Sequence, residues 1–227
     1  MKKIGFSIFM GLMILLIAIK SSADTGFTEV NNALFDSPHM KNIMKPGTLH
    51  YSYKKESYIE DSAEDTIDVE VTNIRNTGRR DLSFEFFTGP NRRPYKDMEN
   101  QQGNGMFVLF LEWDVHELER QTEGSWRHFQ RRIRWAFAEG ATKKEVEIDF
   151  QGKKLKGIQY SIQPYASDPK STRYRLYANK YYVFTLSEDI QGEIYQIKTI
   201  VPDGKVWRDG DVPLTTETIT FTGFDEK

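Results

Sequence analysis

The sequence predicts an α+β fold: a mostly antiparallel, strongly curved sheet of about eight or nine strands with a central helical pair packed on it. Three observations carry that expectation. Apolar and polar residues alternate with a period of two in both halves of the chain, a stretch of helical periodicity lies between the halves, and Gly, Pro, Asn and Asp punctuate the runs. A sheet of that many strands curls, and the helices are expected on its concave face.

Taken in order, Lys2 and Lys3 precede an apolar run from Ile4 to Ile19, and Lys20 is followed by Ser21, Ser22 and Ala23. This is the three-part pattern of a cleavable export signal over residues 1–23, with the cut between Ala23 and Asp24. The run falls short of the roughly 20 residues that cross a bilayer comfortably. Residues 24–227 are expected to form a single β-rich domain outside the cytoplasm, in the periplasm or, alternatively, released to the exterior.

Composition narrows the function classes. The chain has no cysteine, which removes disulfides and thiolate metal sites, and no cofactor is expected. The core must be stabilised by burial alone. Without Lys2, Lys3 and Lys20 the basic residues number 28 against 33 acidic ones, a balance that argues against a nucleic-acid partner. No second long apolar segment follows, so no integral membrane span is expected after cleavage.

Phe27 to Met44 carries Val30, Leu34, Phe35, Met40 and Ile43 in a loosely helical pattern broken near Ser37 and Pro38. Strands are then predicted around Leu49/Tyr51/Tyr53, Ile67/Val69/Val71 and Leu82/Phe84/Phe86. Thr88 to Asn104, rich in Gly, Pro, Asn and Arg, reads as a long connection. The unbroken apolar residues Met106 to Leu111 predict a strand from Gly105 to Trp113 buried on both faces. Asp114 with Glu117 has the spacing of a capping pair, starting a short helix that ends at Gly124. Ser125 is positioned to cap a second helix running to Glu139, with Gly140 as its stop.

At about 100° per residue, Trp126, Phe129, Ile133, Ala136 and Phe137 share one face of that second helix, and Arg127, Arg131 and Arg134 the opposite one. The plain reading of the arginines is a solvated face. The functional reading is contact with anionic lipid headgroups or an acidic partner through Arg127, Arg131, Arg134 and Trp135. Further strands are predicted at Val146/Ile148/Phe150, Leu155 to Ile162, Tyr182/Phe184/Leu186, Glu193 to Val201 and Thr215 to Phe221, with helical turns over Ser171 to Ala178.

Phe110-Leu111-Glu112, Asp114-Val115, Gly124-Ser125, Phe129, Arg132-Ile133-Arg134, Ala138-Glu139-Gly140 and Tyr182-Val183-Phe184-Thr185-Leu186-Ser187 resemble a group of uncharacterised exported proteins of Gram-negative bacteria. The resemblance rests on packing and capping residues and implies no functional residue. The order of helix, strands, helical pair and strands is also similar to that of periplasmic lipoprotein carriers built as a half-open barrel, a likeness of architecture alone.

Catalytic and metal motifs find little support. His39, His50, His116 and His128 lie in no ligand spacing and are expected at the surface or in caps. No glycine-flanked serine or phosphate loop is present. Glu112 and Asp114 have the residue types of a glycosidase pair, but Asp114 is accounted for as a cap. The acidic stretch Glu56 to Asp68 does not match a calcium loop, and Asp203, Asp209 and Asp211 with Gly204 and Gly210 read as turns. The leading expectation is an exported noncatalytic envelope protein binding a lipid-like amphiphile or an envelope protein in a concavity between sheet and helices. A structural or assembly module acting through surface contacts is the alternative. A hydrolase comes last, and would need a pocket that gathers Glu112, His116 or His128.

Overall fold

The structure is a computed structural model that describes residues 29–139, 141–204, 208 and 210–227. The expected signal segment, its cut between Ala23 and Asp24, the stop residue Gly140 and Asp209 lie outside the described residues.

Helix α1 (Glu29–Asn31) runs into a π-helical turn, Asn32–Asp36. Strands β1 (Gly47–Ser57), β2 (Ala63–Ile74), β3 (Arg80–Phe86) and β4 (Met98–Gln101) follow. The helical pair is α2 (Met106–Gln121) and α3 (Trp126–Glu139). After it come β5 (Thr142–Phe150), β6 (Lys153–Ile162), a kinked 3-10 segment at Ser171–Asn179, β7 (Tyr181–Leu186), β8 (Ile194–Val201) and β9 (Thr215–Glu226). The nine strands form one antiparallel sheet in the order β4-β3-β2-β1-β9-β8-β7-β6-β5.

That order explains where the helices lie. β4 and β5 are opposite edges of the sheet, so the chain must cross nine strands, about 38 Å at the usual strand spacing, to pass from one to the other. α2 and α3 make the crossing over one face, their apolar sides downward. The sheet stays open, yet one end curls: Phe150 on edge strand β5 stacks on Phe221 of β9 at 5.4 Å between ring centroids, although β6, β7 and β8 stand between them.

The alternation expected of half-buried strands is observed. Leu49, Tyr51 and Tyr53 are buried between His50, Ser52 and Lys54, which are not. Among their partners across the ladders, Val69, Ile67, Phe221 and Ile219 are also buried. Register therefore gathers these large apolar side chains of β1, β2 and β9 on one side of the sheet.

Two expectations are corrected. The apolar run from Gly105 to Trp113 is not a strand but the first half of α2, and its place in the sheet is taken by the short β4, inside the segment read as a loop. In α2, Met106, Phe107, Leu109, Phe110 and Trp113 are buried while Val108 is 47% exposed, a helical period that an unbroken apolar run conceals. Nor does Asp114 cap a helix. It sits in the middle of α2 at 1% exposure, and the helix starts instead at Met106, whose N–H donates to the Asn104 side-chain oxygen at 3.2 Å.

The space between sheet and helices is filled by rings. Phe107 and Phe137 both pack on Phe184 at 5.6 and 5.7 Å, Phe129 meets Tyr165 and Tyr174 at 5.3 and 4.9 Å, and Trp113 meets Phe87 and Tyr53 at 5.3 and 5.7 Å.

Candidate functional site

Charged groups buried beneath the helices come first, since they fix how α2 and α3 sit. Asp114 accepts from Lys180 Nζ and, at 2.5 Å, from the Tyr182 hydroxyl. Lys180 lies 3.4 Å from Glu217, which also accepts from Tyr53 and Thr199 at 3.0 and 3.1 Å. Burial opposes the Lys180 charge, but Asp114 and Glu217 outweigh it and hold the ammonium above its ordinary pKa. The hydroxyls of Tyr165 and Tyr182, 2.9 Å apart, are pushed well above the usual phenol value, by burial first and then by the Asp114 charge. The cluster ties α2 to β7 and β9, with every member bonded to another.

A second buried carboxylate pins α3. Asp168 lies 2.5 Å from His128 Nε2 and accepts from the Tyr174 hydroxyl and from Lys170 N, each at 2.9 Å. Arg132 donates to the Pro164 carbonyl and to Ser167, each at 3.1 Å. The first turn of α3 is capped from α2, where Glu119 accepts from Trp126 N at 3.1 Å. Ser125 holds the N-cap position through its carbonyl, which accepts from His128 and Phe129.

With both helices fixed on the sheet, their opposite flanks leave a groove of about 710 Å³ between α2, α3 and the turn after α1. No strand residue lines it, so this hollow lies between the helices and not, as expected, between sheet and helices. From α2 it receives Val108, Leu111, Glu112, Val115 and His116, and from α3 Trp126, Gln130, Ile133, Arg134 and Phe137. Both sets follow helical spacing, giving two apolar stripes that face each other over a run of about 12 Å. One end is closed by Phe35, whose ring meets Phe137 at 5.4 Å, and the other by His116 against Trp126 at 5.2 Å. The floor is apolar and the rim polar, with Glu112, His116, Gln130 and Arg134 around it.

The expected site residues distribute as follows. Glu112 and His116 do meet in this groove, but His128 belongs to the Asp168 clamp. Glu112 and Asp114, two positions apart on a helix, point about 200° from each other, so no carboxylate pair forms. Histidines are not simply surface or cap groups: His39 is fully buried, its ring accepting from Asn104 N at 3.2 Å, while His50 lies 2.8 Å from Asp68. Among the described residues no cluster of His, Asp and Glu is arranged to hold a metal, and no helix is long and apolar enough to cross a membrane. Arg127, Arg131 and Arg134 are exposed along α3, and Trp135 is 48% exposed. Sequence reasoning missed Asp114 and the groove. The signal for Asp114 was an acid on the stripe Phe107, Phe110, Asp114, Leu118, where a solvated residue has no place.

No family model matches the sequence, and no curated protein matches it. Solved structures that are similar include the lipoprotein LppX of Mycobacterium tuberculosis, at 11% identity and a TM-score of 0.31 over 79% of this chain and 87% of that one. Another is a LolA superfamily protein of Nitrosomonas europaea, at 6% identity and a TM-score of 0.22 over 84% of this chain and 90% of that one.

Proposed function

We propose that this protein is an exported, noncatalytic component of the cell envelope, periplasmic in its location, that binds one amphiphile in the groove between α2 and α3. The carrying observation is the groove itself. Its volume of about 710 Å³ falls within the roughly 300–1,000 Å³ of small-ligand sites, and an apolar floor with a few convergent polar groups is their usual lining. The apolar part of the ligand lies along Val108, Leu111, Val115, Ile133 and Phe137, and its polar end meets Arg134, His116 or Gln130 at the rim.

The test is native mass spectrometry with lipid extraction of the purified protein, followed by uptake of a fluorescent fatty-acid probe by the delipidated protein. A Val108→Asp variant is the control, since Val108 is 47% exposed and its replacement leaves the core intact. Uptake by the wild type that falls at least about tenfold in V108D, at an unchanged urea midpoint, is the expected result. A protein that purifies empty and takes up no probe overturns the reading.

The ring-filled space beneath the helices favours a second reading, a structural or assembly module acting through surface contacts. A stable envelope-protein partner recovered together with an empty groove would be its signature.

A further inference from the structure

From the charge pattern of α3, we infer that its outer face is a docking surface for an anionic phospholipid bilayer. Arg127, Arg131 and Arg134 repeat at four and three residues, so one exposed stripe of the helix carries three guanidiniums. Among the described residues no carboxylate lies within 4.0 Å of any of them, although Arg132, one residue away, sits 3.5 Å from Asp168. Their neighbours are aromatic and not acidic. Arg127 stacks over Trp126 at 4.6 Å, and Arg131 and Arg132 flank the half-exposed Trp135 at 5.7 and 5.4 Å.

The surroundings extend the same sign. The 3-10 segment anchored beside α3 by the His128 and Asp168 contact and by Phe129 against Tyr174 presents exposed Lys170 and Arg173, with Leu176 at 38% exposure. This basic patch stands on a chain with 31 basic and 33 acidic residues, so it reflects placement and not composition. Arg131 donates to His128 Nδ1 at 3.0 Å, a bond that leaves its charge uncompensated. Arginines without a carboxylate partner, interleaved with exposed Trp and Leu, are complementary to a surface that is negative outside and apolar just beneath, which describes lipid headgroups over acyl chains. An acidic protein surface would use the charges but not the exposed indole and leucine. Because Arg134 also lines the groove, docking in this way would set the groove's rim against the bilayer.

Sedimentation with vesicles tests the surface separately from ligand uptake. Binding is expected to vesicles of phosphatidylcholine with phosphatidylglycerol, and not to phosphatidylcholine alone, and to be lost as salt rises. A double variant, Arg127→Gln with Arg131→Gln, replaces no groove-lining residue, and Trp126, over which Arg127 stacks, keeps its place against His116. This variant should bind roughly 30-fold more weakly, at about 1 kcal/mol per basic residue near the surface, while taking up the fatty-acid probe like the wild type. Trp135→Ser should weaken binding to the anionic vesicles at low salt without changing how steeply added salt weakens it. Equal affinity for neutral and anionic vesicles, no binding to either, or an unaltered double variant overturns the inference, as does a soluble acidic partner that needs Arg127 and Arg131 when vesicles do not bind. Loss of probe uptake with vesicle binding intact would count against the amphiphile reading alone.

Discussion

Asp114 and Lys180 are exposed to water at 1% and 3%, so neither charge is tolerable without the other. Removing one partner of such a pair leaves an uncompensated buried charge and costs about 3–5 kcal/mol, whereas replacing both by apolar residues of similar size is often close to neutral. Asp114→Ala should therefore lower the urea-derived stability by about that amount, and the double replacement Asp114→Leu with Lys180→Met should recover most of it. A double variant as unstable as the single one would show that the Tyr182 and Glu217 contacts, not the charge pair, hold α2 in place. Asp168 sets a pH response. Burial alone would raise its carboxyl, but Lys170 N, His128 and Tyr174 outweigh it and keep it below the ordinary value of 3.8. The native state thus binds fewer protons, so the contribution is complete above that value and fades as pH falls through the lower folded value. Asp168→Asn should be less stable at neutral pH by about 2–3 kcal/mol and should lose part of the acid dependence below about pH 4, measured by urea midpoints across that range.

At the scale of elements, α2 shows why local pattern misleads. Its apolar residues face the sheet on one side and α3 on the other, so Met106 to Leu111 carry almost no polar interruption, and such a run reads equally as a buried strand. The predicted mutational signature is helical. Phe107→Ala and Phe110→Ala should each cost about 3–5 kcal/mol, while Val108→Ala between them stays within about 0.5 kcal/mol; a cost at Phe110 as small as that at Val108 would instead favour the alternation of a strand. α3, by contrast, was legible in advance, because its apolar residues Phe129, Ile133 and Phe137 form one stripe and its arginines another. The turn between the helices depends on a close approach: a Cβ on Gly124 would stand 2.2 Å from the Phe129 ring. Gly124→Ala should cost about 1–3 kcal/mol by overpacking, read as a lowered melting midpoint.

At the scale of the whole molecule, the first and last strands lie side by side at the centre of the sheet, β1 pairing with β9 from Gly47↔Glu226 to Ser57↔Thr215. This pairing joins the two meanders through contacts far apart in sequence, the kind whose formation slows folding. Truncation before Thr215 should abolish cooperative unfolding, and a truncated chain that retains a sharp urea transition would show that one meander folds alone.

The antiparallel strands, most of their burial patterns and the amphipathic α3 were determined by the sequence itself, because a period of two or 3.6 is a property of neighbouring residues. The helical state of Met106 to Leu111, the fate of Asp114 and the position of the groove were decided only by tertiary structure. Each depends on which surfaces lie on either side of α2, and those surfaces come from β7, β9 and α3, segments that no local window contains.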